Sequence, residues 1–258
     1  MLKKAAVLVA SCGALMAGCG TDVDSNNNNE EIVSNLIKAG FPADDIMVVG
    51  DAVYVGRDAQ VSLEASREML QSDHGTQEQY RTTNLVSTGV TKICVNPTAA
   101  FNSYSRLSQG LDLAIGNYNS LGLSFTLARG PTTGCSANIT AQTMSGAGGS
   151  AGFPSGGLPY GVINIGTGLQ SYSVDVNEHV ITHEIGHTIG FRHSDYYNRA
   201  ISCGGSATNE GSAGVGAILI NGTPATATVG GSIMNSCFRS TESGEWTSSD
   251  ITALNVLY

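Results

Sequence analysis

The chain has 258 residues, of which 41% are hydrophobic, and its formal net charge is −9. This length suits one substantial domain, or one domain with a small companion, and the apolar fraction is sufficient for a buried core. Charged residues make up only 13% of the chain and form no basic stripe, so the electrostatic footprint of a nucleic-acid-binding protein is missing.

The first residues have the pattern of an export signal. Two lysines precede an apolar run at 5–16 that is too short to span a bilayer. The run ends in Leu15-Met16-Ala17-Gly18-Cys19, which resembles a bacterial lipobox, although Met16 replaces the usual leucine. The resemblance implies a signal peptide at 1–18, lipidation of Cys19, and a protein of the bacterial cell envelope whose only membrane contact is this lipid. Cys12 is a second candidate for lipidation, and plain secretion after a small-residue site is the alternative.

The remaining cysteines predict disulfide bonds. With Cys12 removed and Cys19 acylated, four of the six cysteines stay in the mature chain: Cys94, Cys135, Cys203 and Cys237. An even number in an exported protein predicts two disulfides, with three possible connectivities. A zinc-thiolate site would need C-x-x-C spacing, and the chain has none.

The chain before residue 90 is predicted to hold a tether and a small N-terminal block. Residues 19–30, with four consecutive asparagines, have the composition of a flexible tether. A helix is predicted at 31–39, a hairpin at 46–49 and 53–55, and a second helix at 62–71. Residues 31–89 are therefore expected to form a small α/β block, either an accessory domain or a propeptide.

Residues 90–258 have the stronger pattern and are predicted to form the main, catalytic domain. The periodicity predicts strands at 90–95, 123–127, 138–144 and 160–165 and helices at 101–118, 174–189 and 250–258. A glycine-rich loop is predicted at 145–157. No helix start or Lys-Ser/Thr follows this loop, so a phosphate-binding role is not expected.

The helix predicted at 174–189 carries a metal-binding constellation. His183 and His187 are four residues apart, so both imidazoles lie on one helix face and reach the same ion. Glu184 points elsewhere, and Gly190 allows the sharp turn that brings His193 back as a third ligand. Three imidazoles leave an open fourth position, as in catalytic zinc sites. The sequence therefore predicts one catalytic Zn²⁺ bound by these histidines, with Glu184 as general base.

Two other residues compete for a role at this site. His179 lies about 12 Å along the helix axis from His187, so one ion cannot bind both. We interpret His179 as a neighbour of the site, at its rim or behind the ligands. Glu210 is at about the right distance for a downstream carboxylate ligand, but Gly190 and His193 would then have no explanation.

Residues 183–193 match the metzincin pattern H-E-x-x-H-x-x-G-x-x-H and are similar to the bacterial dual-action HEIGH metallopeptidases. Residues 232–235, with Met234, resemble the Met-turn beneath the metal. The resemblance implies an α+β fold with a mixed twisted sheet, an active-site helix, a Met-turn and a C-terminal helix, preceded by the small N-terminal α/β block. It also implies that strand 160–165 is the edge strand that pairs with substrate, and that the protein is a zinc metalloendopeptidase acting on proteins or peptides.

Three further expectations concern residues around the motif and the cysteines. Ser236 stands where astacins and serralysins have a tyrosine ligand, so a tyrosine-assisted transition state is in doubt. Asp195 either anchors the turn after the third histidine or is a solvated loop carboxylate. The expected disulfides are Cys94–Cys135 and Cys203–Cys237, the second closing the insert between the third ligand and the Met-turn.

The segment Val55-Gly56-Arg57-Asp58 loosely resembles the astacin propeptide pattern, in which an aspartate occupies the zinc. Arg57 stands where that pattern has glycine. The resemblance implies an enzyme that Asp58 holds latent until a cut between about residues 71 and 90. The alternative is that Asp58 ends a hairpin strand and faces solvent.

Two other classes of function stay open. One is a surface-binding lipoprotein that keeps zinc for structure, against which Glu184 argues because a structural site has no use for a general base. The other is a zinc hydrolase of a non-peptide substrate, which the motif alone does not exclude.

Overall fold

The structure, a computed structural model, describes residues 22–71, 79–131, 133–211, 217–224 and 226–258. The predicted signal peptide, with Cys12 and Cys19, lies outside these ranges. Within them, no helix is both long and apolar enough to cross a membrane.

A mixed sheet organises the described part of the chain. The strands, in chain order, are β1 (Met47–Val49), β2 (Ala52–Val55), β3 (Ala59–Val61), β4 (Tyr80–Arg81), β5 (Lys92–Pro97), β6 (Thr126–Arg129), β7 (Ala137–Met144), β8 (Gly149–Gly152), β9 (Val162–Gly166) and β10 (Ile218–Leu219). Eight of them form one sheet in the order β1-β2-β3-β8-β9-β7-β5-β6, while β4 and β10 form a separate ribbon. β5 is parallel to β6 and β7, β7 is parallel to β9, and β8 is antiparallel to β9. This mixed sheet with packed helices confirms the predicted α+β class.

Helices cover the sheet and enclose the larger core. They are α1 (Asp22–Lys38), α2 (Leu63–Glu68), α3 (Ala99–Ser103), α4 (Ser105–Ser120), α5 (Val174–Thr188), α6 (Ala200–Cys203) and α7 (Ser248–Leu257). The single helix predicted at 101–118 is two helices, because Tyr104 has an extended backbone (φ −95°, ψ 101°). Phe101 before this break and Leu107 after it are both fully buried in the core. α4 and α5 pack closely against each other, which holds α5 against the sheet.

The N-terminal block begins as a helix where a tether was expected. α1 starts at Asp22, so residues 22–30 are helical, and the helix predicted at 31–39 is the C-terminal part of α1. Asparagine is a poor helix former, but the Asn29 side chain is buried and donates a hydrogen bond to the Gly50 carbonyl at 3.2 Å. Ile32 and Leu36 bury the helix in the block's own core. Tertiary contacts therefore override the local propensity.

The sheet joins the N-terminal block to the rest of the chain. β3 pairs in parallel with β8, so that Ala59 lies opposite Ala151 and Gln60 opposite Gly152. The loop predicted at 145–157 therefore contains a strand, which its lack of β-branched and aromatic residues concealed. The expected edge strand at 160–165 is also wrong, because β9 lies between β8 and β7. β8 lies between β9 and β3, so β3 of the N-terminal block covers the edge that β8 would otherwise expose.

Residues just before 90 make contacts with the larger core. The buried side-chain amide of Gln79 donates hydrogen bonds to Ser232 at 3.0 Å and to Asp250 at 3.1 Å. The backbone N–H of Thr82 donates to the Gly190 carbonyl at 2.8 Å. Asn84, in the same segment, also donates to the Ala65 carbonyl of the N-terminal block at 3.3 Å, so this segment contacts both parts of the chain.

The two disulfides have the expected pairing. Cys94–Cys135 ties β5 to the loop before β7, and Cys203–Cys237 ties α6 to the segment after the 232–235 turn. The second bond therefore steadies the chain between the third histidine and that turn.

Candidate metal centre

α5 carries the first two histidines, and the turn that follows it leads the chain back to the third. The helix begins behind the capping hydroxyl of Ser173 and ends at Thr188. Gly190 then turns the chain with φ +113°, and an added Cβ there would lie 2.6 Å from the carbonyl oxygen of Asn84. Glycine alone fits both the torsion and the space. The return of the chain toward His193 therefore depends on Gly190.

The three predicted histidines converge. His193 Nε2 lies 3.3 Å from His183 Nε2, and the ring of His187 is centred 4.7 Å from that of His183 and 4.9 Å from that of His193. Each Nδ1 lies 2.7–2.8 Å from an oxygen: the carbonyl of Ile233 for His183, the carbonyl of Phe191 for His187, and the carboxylate of Glu210 for His193. Because every Nδ1 is engaged, the Nε2 atoms are left to bind a cation.

Asp58 of the N-terminal block enters the same cluster. Its Oδ2 lies 3.1 Å from His193 Nε2, and its Oδ1 lies 3.9 Å from His187 Nε2. One ligand atom from each of Asp58, His183, His187 and His193 lies within 4.8 Å of the others. The side chain of Asp58 is only 17% exposed, so the alternative of a solvent-facing carboxylate is wrong.

Glu184 lies beside this cluster without joining it. Its side chain is 2% exposed, and its Oε2 has no hydrogen-bond partner among the described residues. Burial, together with the negative charge of Asp58, raises the pKa of Glu184. The backbone of Gly149 in β8 passes so close that an added Cβ would collide with the Glu184 carboxylate. Glu184 therefore lies between the histidines and β8.

The donor atoms fit a divalent metal ion. Within the described residues, His187 Nε2 and Asp58 Oδ1 are buried polar atoms without a hydrogen-bond partner, and both point to this cluster. Burial lowers the pKa of His193, but the carboxylates of Asp58 and Glu210 outweigh it and raise that pKa to about 10. Without a metal ion, the proton on His193 compensates the charge of these two carboxylates. A bound cation would take over that role from the proton. Three imidazole nitrogens and one carboxylate oxygen form a ligand set that suits zinc.

The floor of the site is built from the predicted Met-turn. Met234 is buried beneath α5, and an added Cβ at Gly186 would lie 2.7 Å from its Sδ. Asp195 is fully buried and accepts hydrogen bonds from Ser202 and Ser236 at 2.5 and 2.7 Å. Asp195 therefore anchors the turn, and the alternative of a solvated carboxylate is wrong.

His179 and Glu210 have separate places near the metal cluster. His179 lines a cavity of about 310 Å³ together with His183 and Glu184, and its Nδ1 lies 3.9 Å from Glu242. It is a neighbour of the site, as expected, and lies outside the ligand group. Glu210 is not a ligand either, because it binds the Nδ1 side of His193. Sequence reasoning missed this role, since no spacing rule connects a loop carboxylate with the back of a histidine ring.

Comparison with known proteins agrees with this geometry. The profile of the dual-action HEIGH metallopeptidases matches residues 53–258. The chain belongs to this family. It is therefore a metallopeptidase. No curated protein matches it in sequence.

Two solved structures are more distantly similar to this HEIGH metallopeptidase. The structure of myroilysin is 13% identical, covers 69% of this chain and 98% of its own, and has a TM-score of 0.43. The hatching-enzyme zinc protease high choriolytic enzyme 1 of the medaka fish Oryzias latipes is 15% identical, covers 68% of this chain and 92% of its own, and has a TM-score of 0.40. The family assignment does not depend on these two.

The three converging histidines should be required for metal binding. Replacing His183, His187 or His193 with alanine should lower zinc affinity by more than the roughly 10–100-fold cost of losing an outer hydrogen-bond partner. His179→Ala removes an imidazole one turn away on the same helix, and it should still bind one zinc ion per chain. Competition with a chelator of known affinity measures both effects. Equal zinc loss in His179→Ala would contradict this ligand set.

Proposed function

We propose that the chain is a zinc-dependent endopeptidase of proteins or peptides, with His183, His187 and His193 as metal ligands and Glu184 as general base. The observation that carries the proposal is the convergence of three Nε2 atoms beside a buried carboxylate that does not join them. A structural zinc site has no use for a buried carboxylate that stays outside the ligand group. The same observation disfavours a binding lipoprotein that keeps zinc only for structure.

The chemistry divides between the ion and the protein. When bound, zinc supplies a Lewis acid that polarises the scissile carbonyl and lowers the pKa of water. Glu184 accepts the proton of the attacking water at its unpartnered Oε2 and returns it to the leaving amine. Each imidazole is held in place because it donates its Nδ1 hydrogen to an oxygen behind it. With a cation at the Nε2 atoms, the three rings would be neutral ligands.

We place the substrate backbone on β8. An extended peptide adds to a sheet by hydrogen bonding to an outer strand, and β8 has the outer position once β3 is set aside. Gly149 begins this strand directly against Glu184. A peptide paired with β8 therefore runs past the general base and the metal ligands. This placement favours a peptide over a small non-peptide substrate.

Removing the general base should separate chemistry from metal binding. Glu184→Ala should keep zinc near one per chain while peptide hydrolysis falls roughly 10²–10⁴-fold. Glu178→Ala removes another buried carboxylate from the same helix, one that hydrogen-bonds Asn117, and it should retain hydrolysis. Casein zymography with and without chelator, combined with metal analysis, provides the measurement. Hydrolysis retained by purified Glu184→Ala would disprove the mechanism.

We further propose that the N-terminal block holds the enzyme latent. Asp58 fills the fourth position of the metal cluster, and β3 occupies the edge of β8 where substrate would pair. A tethered carboxylate acts at high effective concentration, so it excludes water without great intrinsic affinity. Because Gln79 is bound into the larger core, an activating cut that spares these contacts must fall before it.

The latency proposal predicts a gain of activity on loss of one carboxylate. Asp58→Ala should increase hydrolysis of a short fluorogenic peptide by the full-length chain at least about tenfold, which corresponds to a lost interaction of about 1.4 kcal/mol. Asp51→Ala removes an equal charge from the exposed turn between β1 and β2, and it should leave the rate unchanged. Mass spectrometry must show the block intact in every sample. Equal rates for wild type and Asp58→Ala would show that Asp58 is not a switch.

For localisation we propose export to the bacterial cell envelope with a lipid on Cys19. The support is the sequence of residues 1–19 alone, with its short apolar run and the small residues before the cysteine.

The anchoring proposal predicts a change in phase behaviour. The wild-type protein should partition into detergent, because acyl chains supply most of its membrane affinity, and Cys19→Ser should be released into the aqueous phase. Cys12→Ser tests the competing site in the same assay. An intact mass without acyl chains on the mature N-terminus would refute the lipid anchor.

A further inference from the structure

Glu210 is a fully buried carboxylate on which several donors converge. Its Oε1 lies 2.7 Å from His193 Nδ1, and the Arg199 guanidinium donates to the same oxygen at 2.5 Å. Arg192 approaches Oε2 at 3.5 Å. The positive charges of Arg192 and Arg199 therefore compensate the negative charge of Glu210. The Oε1 atom of Glu210 also accepts a hydrogen bond from the third histidine.

Arg199 has a second partner in the N-terminal block. Its guanidinium also donates a hydrogen bond to the carbonyl of Gly56. Gly56 has φ +61°, and a Cβ added to it would lie 2.9 Å from Glu210 Oε2. The turn before Asp58 is thus pressed against the same carboxylate that holds His193.

We propose that Glu210 is a positioning residue for the third metal ligand, and that Arg199 couples this positioning to the N-terminal block by binding Glu210 and Gly56 together. The proposal rests on the proposed function, in which His193 is a metal ligand. It adds a second connection between the block and the metal, independent of the carboxylate of Asp58.

The geometry distinguishes this role from that of an ordinary buried ion pair. The rings of His183 and His187 are held by the backbone carbonyls of Ile233 and Phe191. The ring of His193 is held by a side chain, so its orientation depends on where Glu210 is held. A carboxylate behind a ligating imidazole fixes the ring and increases its basicity toward the metal. Arg199 holds that carboxylate and is 5% exposed.

The coupling follows from the shared guanidinium. While Gly56 is docked, Arg199 has two acceptors and a defined orientation. When the block leaves, the guanidinium loses its carbonyl partner, and Glu210 loses the neighbour that confines its Oε2. Metal binding and docking of the block therefore favour each other, and by linkage the two effects are equal in size.

The first part of the test measures positioning in the full-length chain. Glu210→Gln should lower zinc affinity about 10–100-fold and should alter the visible spectrum of the cobalt-loaded protein, because the third imidazole is less well fixed. Glu178→Gln changes another buried carboxylate and should do neither. Glu210→Asp keeps the charge and should recover part of the affinity, which a purely structural role would not produce. Circular dichroism confirms folding of each variant.

The second part measures coupling without the direct carboxylate–metal link. In an Asp58→Ala background, zinc should still slow hydrogen exchange of the peptide that contains 59–61 severalfold. Adding Arg199→Met should abolish this zinc-dependent protection.

Each outcome decides one point. Wild-type zinc affinity and an unchanged cobalt spectrum in Glu210→Gln would overturn the positioning role. Zinc-dependent protection that survives Arg199→Met, or that is absent in Asp58→Ala alone, would overturn the coupling. Undiminished zinc binding by His193→Ala would instead overturn the proposed function, so the two failures are distinguishable.

Discussion

Three hydrogen bonds behind the imidazole rings determine the geometry on which the rest of the site depends. A histidine held only by its helix rotates about its side-chain torsions, whereas each ring here has its Nδ1 engaged by an oxygen. Two of these oxygens are backbone carbonyls, at Ile233 and Phe191, so convergence of the Nε2 atoms requires both the turn after α5 and the Met-turn. Gly190 permits the turn after α5. Met234 packs directly against Gly186 of α5, and this contact positions the Met-turn. The catalytic geometry is therefore a product of the whole domain's packing.

The features that the sequence predicted are those encoded by local spacing. Two histidines four apart on a helix and a glycine at the helix end specify the ligands with short-range rules, and those residues do converge. β8 escaped prediction because Gly149-Ser150-Ala151-Gly152 has none of the side chains that favour strands. The role of Glu210 escaped for a different reason. It depends on a contact across 17 residues of loop, and neither helical nor strand periodicity reports such a contact.

In the N-terminal block, too, the features that depend on contacts between distant parts of the chain could not be predicted from the sequence. Its hairpin was predictable, since Met47–Val49 and Ala52–Val55 pair as the apolar pattern indicates. The position of that hairpin was not, because the parallel pairing of β3 with β8 joins parts of the chain that are distant in sequence. Local propensity also failed for α1, where the burial of Asn29 outweighs the asparagine-rich composition. Without the sheet order, the block could be an accessory domain or a propeptide. Its pairing with β8, where we propose that substrate binds, favours the propeptide.

Under the proposed latency, Asp58 acts on the general base as well as on the metal position. Burial and the charge of Asp58 together raise the pKa of Glu184. Departure of Asp58 removes the charge repulsion, while the contribution of burial remains. One movement of the N-terminal block therefore opens the fourth metal position, uncovers β8 and lowers the pKa of the base. Because one segment controls all three requirements, the uncut chain is expected to have little residual activity until that segment leaves.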